Sequence, residues 1–184
     1  TGTDLNGCQN TAVKTITVIG LPVVSANTSS TSVCFGNTVV LSGAGALTYT
    51  WSAGVTNNVA FVPSATVTYT VTGSNSCFTN TASVSVTVNS LPAVTANASS
   101  IVLCFGNTTT LFGGGANTYT WSGGVINNTA FVPSGSGSYT VTGTGLNGCQ
   151  NTAVRSITVN PLPSVTASAS NATLCFGNST TLNG

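Results

Sequence analysis

Short runs in which apolar and polar residues alternate are the dominant pattern between residues 21 and 90. In residues 66–72, Val and Tyr alternate with Thr, and in residues 83–88 Val alternates with Ser and Thr. A period of two is typical of antiparallel strands with one buried face. Further strands are predicted at residues 23–26, 38–42, 47–51 and 59–62. Turns separate these runs and no helical period is present, so the pattern predicts a sandwich of two sheets.

The whole pattern is repeated along the chain. The tetrapeptide Cys-Phe-Gly-Asn begins at Cys34, Cys104 and Cys175, and 35 of 53 positions are identical between residues 21–73 and 91–143. Solenoid repeats span roughly 20–50 residues, whereas this period is 70 or 71, so each repeat is expected to be a small domain. The expected divisions are the end of a preceding repeat at 1–20, complete repeats at 21–90 and 91–161, and the start of a following repeat at 162–184.

Three of the recurring sequences resemble a known group of repeats. They are Tyr-Thr-Trp at 49–51, Tyr-Thr-Val-Thr at 69–72 and the hairpin Asn-Gly-Cys at 147–149. They are similar to the PKD-like and immunoglobulin-like repeats of giant Bacteroidota surface proteins, the type IX-secreted adhesins and appendages of gliding and predatory bacteria. The resemblance implies an all-β fold of tandem immunoglobulin-like (PKD-like) β-sandwich domains, located outside the cell at its surface. It also implies attachment, gliding or prey capture by a grappling appendage.

Charged side chains are almost absent, which excludes many functions. Asp4, Lys14 and Arg155 are the only ones, and the chain has no His or Glu. Acid–base catalysis and an activated Ser nucleophile both need titratable partners. Zinc needs clustered Cys or His, calcium needs several carboxylates, and nucleic acid needs many cations. No apolar run reaches the roughly 20 residues of a membrane helix. We therefore expect no enzyme activity, no cofactor, no metal site, no nucleic-acid partner and no membrane span.

The large aromatic residues have two interpretations. Trp51 and Trp121 end a predicted strand, and an exposed Trp at that point would offer a stacking platform for a ligand. In a sandwich, a Trp at this point more often packs between the two sheets. The core interpretation is therefore preferred for both Trp residues, and for Tyr69 and Tyr139 on the alternating strand.

Each complete repeat contains two Cys residues, one before the second strand and one in the last hairpin. This arrangement is typical of a secreted disulfide framework. In an immunoglobulin-like topology the facing core positions would lie near Ser42 and Val71. Cys34 precedes the first of these and Cys77 follows the second, which places the two at opposite poles of the domain.

Disulfides between neighbouring repeats follow from that placement. Poles of adjacent domains meet in a head-to-tail array, so the pair Cys34–Cys149 is favoured. The within-repeat pairs Cys34–Cys77 and Cys104–Cys149 remain open as alternatives. On the favoured pairing, the partners expected outside this segment are those of Cys8, Cys77, Cys104 and Cys175.

The uncharged surface and the short joints together predict a structural role. A surface of Thr, Ser, Asn and Gly lets chains lie side by side with little repulsion, and Pro at positions 22, 92 and 163 limits bending at each joint. The expected protein is the shaft of a long extracellular filament or giant adhesin, bundled with identical chains into a fibre. Contacts with other cell surfaces are expected from end domains outside this segment. The alternative is a carbohydrate- or cell-binding module, but the loops after Trp51 and Trp121 barely differ, which favours a scaffold.

Overall fold

The computed structural model describes residues 1–184, which divide into two compact units, Thr1–Ser90 and Leu91–Gly184. The first unit contains β1 (Gly2–Thr3), β2 (Gln9–Asn10), β3 (Ser25–Thr28), β4 (Ser32–Cys34), β5 (Val39–Ala44), β6 (Thr48–Trp51), β7 (Ala60–Phe61), β8 (Val67–Ser74) and β9 (Thr79–Asn89). The second contains β10 (Thr95–Ala98), β11 (Val102–Cys104), β12 (Thr109–Gly114), β13 (Thr118–Trp121), β14 (Ala130–Phe131), β15 (Gly137–Thr144), β16 (Gln150–Asn160), β17 (Ser168–Ala169) and β18 (Leu182–Asn183). Single 3-10 turns lie at Ser52–Gly54 and Ser122–Gly124. No helix has the length and apolar character needed to cross a membrane.

Strands β3–β9, here called the first sandwich, form two sheets. One sheet has the order β3-β5-β7 and the other the order β4-β9-β8-β6. All pairs are antiparallel except β4 with β9, which is parallel. In immunoglobulin lettering these are the sheets ABE and A′GFC, so the strand order itself identifies an all-β, immunoglobulin-like fold.

The core of the first sandwich is made by side chains from both sheets. Val39 and Leu41 from β5 are buried against Trp51, Val71 and Val86 from the other sheet, and Leu41, Val71 and Val86 are fully buried. Alternation along β5 and β8 turns every second side chain inward, as a period of two requires. The apolar residues that the pattern selected are therefore the ones that join the sheets.

Strands β10–β16, the second sandwich, repeat this architecture. Their sheets have the orders β10-β12-β14 and β11-β16-β15-β13, again with one parallel pair, β11 with β16. The core contains Leu111, Trp121, Val141 and Ile157, which correspond to Leu41, Trp51, Val71 and Val86. Two sequences with the same alternation thus give the same sandwich.

Several strand boundaries differ from those expected from the sequence. The first predicted strand, 23–26, lies instead at Ser25–Thr28, and the last, 83–88, extends over Thr79–Asn89. The early part of β9 is polar and exposed, so it lacks an alternating signal, but it pairs with β8 all the way to the hairpin. None of the predicted strands includes residues 32–34, yet Ser32–Cys34 forms β4 because its backbone pairs with the end of β9.

The ends of the chain contain two small hairpin-like pairs. Strand β1 pairs with β2, in the register Gly2 with Asn10, and β17 pairs with β18. Residues 11–24 contain no regular secondary structure. Val13, Ile16 and Val18 in this stretch are at least four-fifths exposed, whereas Ile157, which corresponds to Ile16 in the sequence repeat, is buried in the second sandwich.

Candidate functional site

The two Trp rings lie in the cores and are held by the same hydrogen-bond network. Trp51 is 4% exposed, and its Nε1 donates to Oδ1 of Asn57 at 2.9 Å. The same oxygen accepts the backbone N–H of Gly43 at 2.8 Å. Trp121 is also 4% exposed and donates to Asn127 at 2.9 Å. With the rings buried and the indole N–H groups occupied, neither Trp presents a face on which a ligand could stack.

The two Tyr residues on the central strand pack against the neighbouring sheet. Tyr69 is 4% exposed and meets the ring of Phe61 edge to face, with centroids 5.4 Å apart. Tyr139 meets Phe131 in the same way at 5.4 Å but is only half-buried. Edge-to-face contacts of this kind stabilise a core beyond the area they bury.

The loops after the Trp residues have the same backbone in both sandwiches. Each begins with a 3-10 turn and contains a residue with positive φ at its centre, Ala53 at 57° and Gly123 at 70°. Each then places an Asn in the left-handed region, Asn58 at 61° and Asn128 at 62°. A shallow depression beside the second loop is lined by Gly, Val, Ile, Thr, Ala and Phe, with no titratable side chain. No group of three or more metal-ligating side chains occurs in the structure.

One Cys of each sandwich lies at the far end of the last strand. In the parallel pair, Cys34 is in register with Asn89, and the N–H of Phe35 donates to the carbonyl of Asn89 at 2.8 Å. Cys104 is in register with Asn160 in the same way. A turn with Gly36 at φ 91° follows Cys34. Because β4 was not predicted, sequence reasoning missed the contact that fixes this Cys at the end of the domain.

The other Cys of each sandwich lies in the hairpin at the beginning of the last strand. An Asn side chain two positions earlier accepts its backbone N–H, at 2.9 Å for Cys77 and 3.1 Å for Cys149. Strand β9 has 11 residues, and at about 3.3 Å per residue it separates its two ends by roughly 33 Å. A disulfide requires Cα atoms within about 7 Å. Cys34 and Cys77 are therefore too far apart to bond within one sandwich.

The oxidation states agree with this geometry. Cys34 and Cys149 are disulfide-bonded, whereas Cys8, Cys77, Cys104 and Cys175 are free thiols. Each of the within-repeat alternatives, Cys34–Cys77 and Cys104–Cys149, includes one of the free thiols, so neither forms. Cys149 is fully buried, while all four free thiols are exposed.

An Asn near the start of each last strand binds the segment that enters the sandwich. Asn80 Nδ2 donates to the carbonyl oxygen of Pro22 at 3.0 Å, and Asn151 Nδ2 donates to that of Pro92 at 3.1 Å. Asn75 adds a bond to the carbonyl of Gly20 at 2.8 Å. The sequence predicts stiffness from the short joints and from Pro, and does not predict this Asn bond. The sequence signal that accompanies the bond is the tripeptide Asn-Thr-Ala, which recurs at residues 10, 80 and 151.

Comparisons with known proteins add little beyond the strand order. No protein-family model and no curated protein matches the sequence. Among solved structures, the titin domains Z1Z2 in complex with telethonin are similar at 13% identity and a TM-score of 0.29, over 75% of this chain and 98% of that one. The four N-terminal immunoglobulin domains of Dscam1 isoform 8.4 are similar at 12% identity and 0.26, over 83% of this chain and 46% of that one. At these scores, the assignment of the fold rests on the sheets themselves.

Proposed function

We propose that this chain is a structural segment of a long extracellular filament shaft or giant cell-surface adhesin. Residues 21–90 and 91–161 are its complete repeats, and residues 1–20 and 162–184 belong to flanking repeats. The observation that carries the proposal is that both sandwiches hold their entry segment in the same way, through Asn80 on Pro22 and Asn151 on Pro92. Because each entry segment is hydrogen-bonded to the sandwich that follows it, the joint resists rotation and transmits bending and tension.

The surface chemistry supports a fibre of identical chains. The two sandwiches, residues 25–160, contain a single charged side chain, Arg155, and its Nε donates to the carbonyl oxygen of Ala96 at 2.9 Å. Exposed cross-strand partners include hydroxyl pairs, such as Thr68 with Ser85 at 2.7 Å. Ordinary domain surfaces are about 25–35% charged, and their net charge keeps copies apart. A neutral hydroxyl surface that recurs in every repeat favours lateral packing summed over many repeats.

The finer role follows from the resemblance to type IX-secreted adhesins of Bacteroidota. On that basis the fibre serves attachment, gliding or prey capture, with contact to other cell surfaces made by end domains. A carbohydrate-binding role for the repeats themselves has less support, because the loops after Trp51 and Trp121 have the same backbone in both sandwiches and the two Trp rings are buried.

Mass per unit length of the native assembly tests the proposal. A last strand of 11 residues makes each repeat about 36 Å long. With 184 residues weighing 18.1 kDa, one chain then contributes about 2 kDa per nanometre. We expect straight fibres in electron micrographs, with a mass per length that is a whole multiple of this value, two or more. Single threads of about 2 kDa per nanometre would contradict the fibre.

The binding alternative has its own readout. The full chain is applied to an array of bacterial, algal and animal glycans, with a lectin as the positive control. A shaft segment gives no signal above background, whereas saturable binding to one glycan class would support the adhesion module.

A further inference from the structure

The two disulfide-bonded Cys residues lie beside neighbouring stretches of backbone. Cys34 is in register with Asn89, at the end of the first sandwich. Cys149 lies two residues before Asn151, whose side chain binds the carbonyl of Pro92 at the entry to the second sandwich. Asn89 and Pro92 are three residues apart, so even in a fully extended chain their Cα atoms lie only about 11 Å apart. Each sandwich by itself therefore brings one Cys to the same joint.

We propose that every joint of the array is closed by such a disulfide, so that the covalent path under tension skips most of the residues of the sandwiches. In this chain the bond joins Cys34 to Cys149. The same bond joins Cys104 to the Asn-x-Cys hairpin of the following repeat, and Cys77 to the Cys-Phe-Gly-Asn turn of the preceding one. This inference rests on the proposed function, because it requires flanking repeats.

Equivalence between positions supports the assignment of the free thiols. Cys104 is placed like Cys34, which is disulfide-bonded. Each is in register with an Asn at the end of the last strand, is followed by the same turn, and precedes a Phe whose backbone N–H donates to that Asn. Cys77 has the Asn-anchored backbone N–H of Cys149, which is also bonded. Each bond forms when two thiols lose two protons and two electrons to an oxidant. The oxidant is a disulfide-containing oxidoreductase, which is itself reduced to the dithiol.

The mechanical consequence is that the array cannot lengthen much even when its domains unfold. The shortest covalent path crosses from Cys34 to Cys149, follows the backbone to Cys175 and crosses again. For every 141 residues of chain, from Cys34 to Cys175, this path contains only the 26 residues from Cys149 to Cys175. Fully extended, those 26 residues span about 90 Å. In the proposed head-to-tail array, two folded repeats would span about 72 Å, whereas 141 unconstrained residues would extend to roughly 500 Å. The staples thus limit lengthening to about a quarter of the folded length, whereas an unstapled chain would lengthen sixfold or more.

Single-molecule stretching of the full 184-residue chain tests the Cys34–Cys149 bond. Handles are attached enzymatically at the two termini, so no Cys is consumed. The bond withholds 115 residues, so complete unfolding is expected to release about 410 Å less contour length in oxidising buffer than after reduction. C34S/C149S should give the long extension in both buffers, and the matched control C77S/C104S should behave as wild type. Contour length of the unfolded chain does not depend on whether a variant folds.

Equal extension of the wild-type chain before and after reduction would overturn the bond. In native filaments, digestion without reductant should yield peptides that join the Cys104 turn to an Asn-x-Cys hairpin. Complete alkylation of Cys77 and Cys104 in unreduced filaments would overturn the staple at every joint. That result would not contradict the proposed structural shaft. Conversely, single-chain threads that contain the disulfides would contradict the multi-chain fibre and support the disulfide at every joint.

Discussion

At the scale of single residues, one Asn side-chain oxygen in each sandwich is the acceptor for the buried Trp indole. Asn57 Oδ1 accepts both the Trp51 indole and the Gly43 backbone N–H, and Asn127 does the same for Trp121 and Gly113. Nothing in the sequence marks Asn57 among the many Asn residues. Its importance arises from where the loop after Trp51 places it, above a buried donor that would otherwise have no acceptor.

Asn57→Ala is expected to destabilise the first sandwich by about 2–4 kcal/mol, because it leaves two donors without their acceptor. Denaturant unfolding followed by Trp fluorescence measures the change. Asn27→Ala is the matched control, since the Asn27 amide is exposed and makes only long bonds of 3.4 and 3.5 Å. A loss of less than about 0.5 kcal/mol for Asn57→Ala would show that water replaces the acceptor.

At the scale of elements, the turn between β5 and β6 depends on one glycine. Gly45 has φ +89°, and a Cβ there would lie 1.8 Å from the carbonyl oxygen of Val23. Gly115 is placed in the same way against Ala93 in the second sandwich. The adjoining Tyr49 hydroxyl donates to the Ala46 carbonyl and accepts its N–H, both at 2.7 Å. The turn is thus packed onto the entry segment from the joint.

Gly45→Ala combines a left-handed backbone with a backbone clash, so we expect a loss of more than about 3 kcal/mol or failure to fold. Gly54→Ala is the control, because Gly54 has φ +69° but open space around the added Cβ. Its cost should be only the conformational penalty of about 1 kcal/mol. Thermal unfolding by circular dichroism compares the two. Equal shifts would show that the entry segment moves aside and does not brace the turn.

The joint between repeats is also an element, and its structure is built from Asn side chains as well as Pro. Pro at positions 22 and 92 restricts φ, but a carbonyl bound by Asn80 or Asn151 fixes the direction in which the chain enters the domain. Strand β4 also depends on a contact with a distant segment. Its three residues show too little alternation to be predicted as a strand, and they form one only because β9 offers a free edge at residues 87–89.

At the scale of the whole molecule, the near-absence of charge makes stability independent of salt screening. The sandwiches contain one charged side chain, Arg155, so there is almost no surface electrostatic energy for added ions to remove. The unfolding free energy should change by less than about 1 kcal/mol between roughly 50 and 500 mM sodium chloride. Urea denaturation at both concentrations measures it. A loss of several kcal/mol at high salt would indicate that Arg155 has an ionic partner.

The sequence by itself determined the strand-forming segments, the repeat and the uncharged surface, because these depend on alternation and composition alone. It also placed Trp51 at the end of a strand that enters the core. Only the tertiary structure decided which Asn would be an acceptor, where β4 would pair and how far apart Cys34 and Cys77 would lie. These features depend on backbone register between segments distant in sequence, such as Cys34 with Asn89, and a local period carries no record of register.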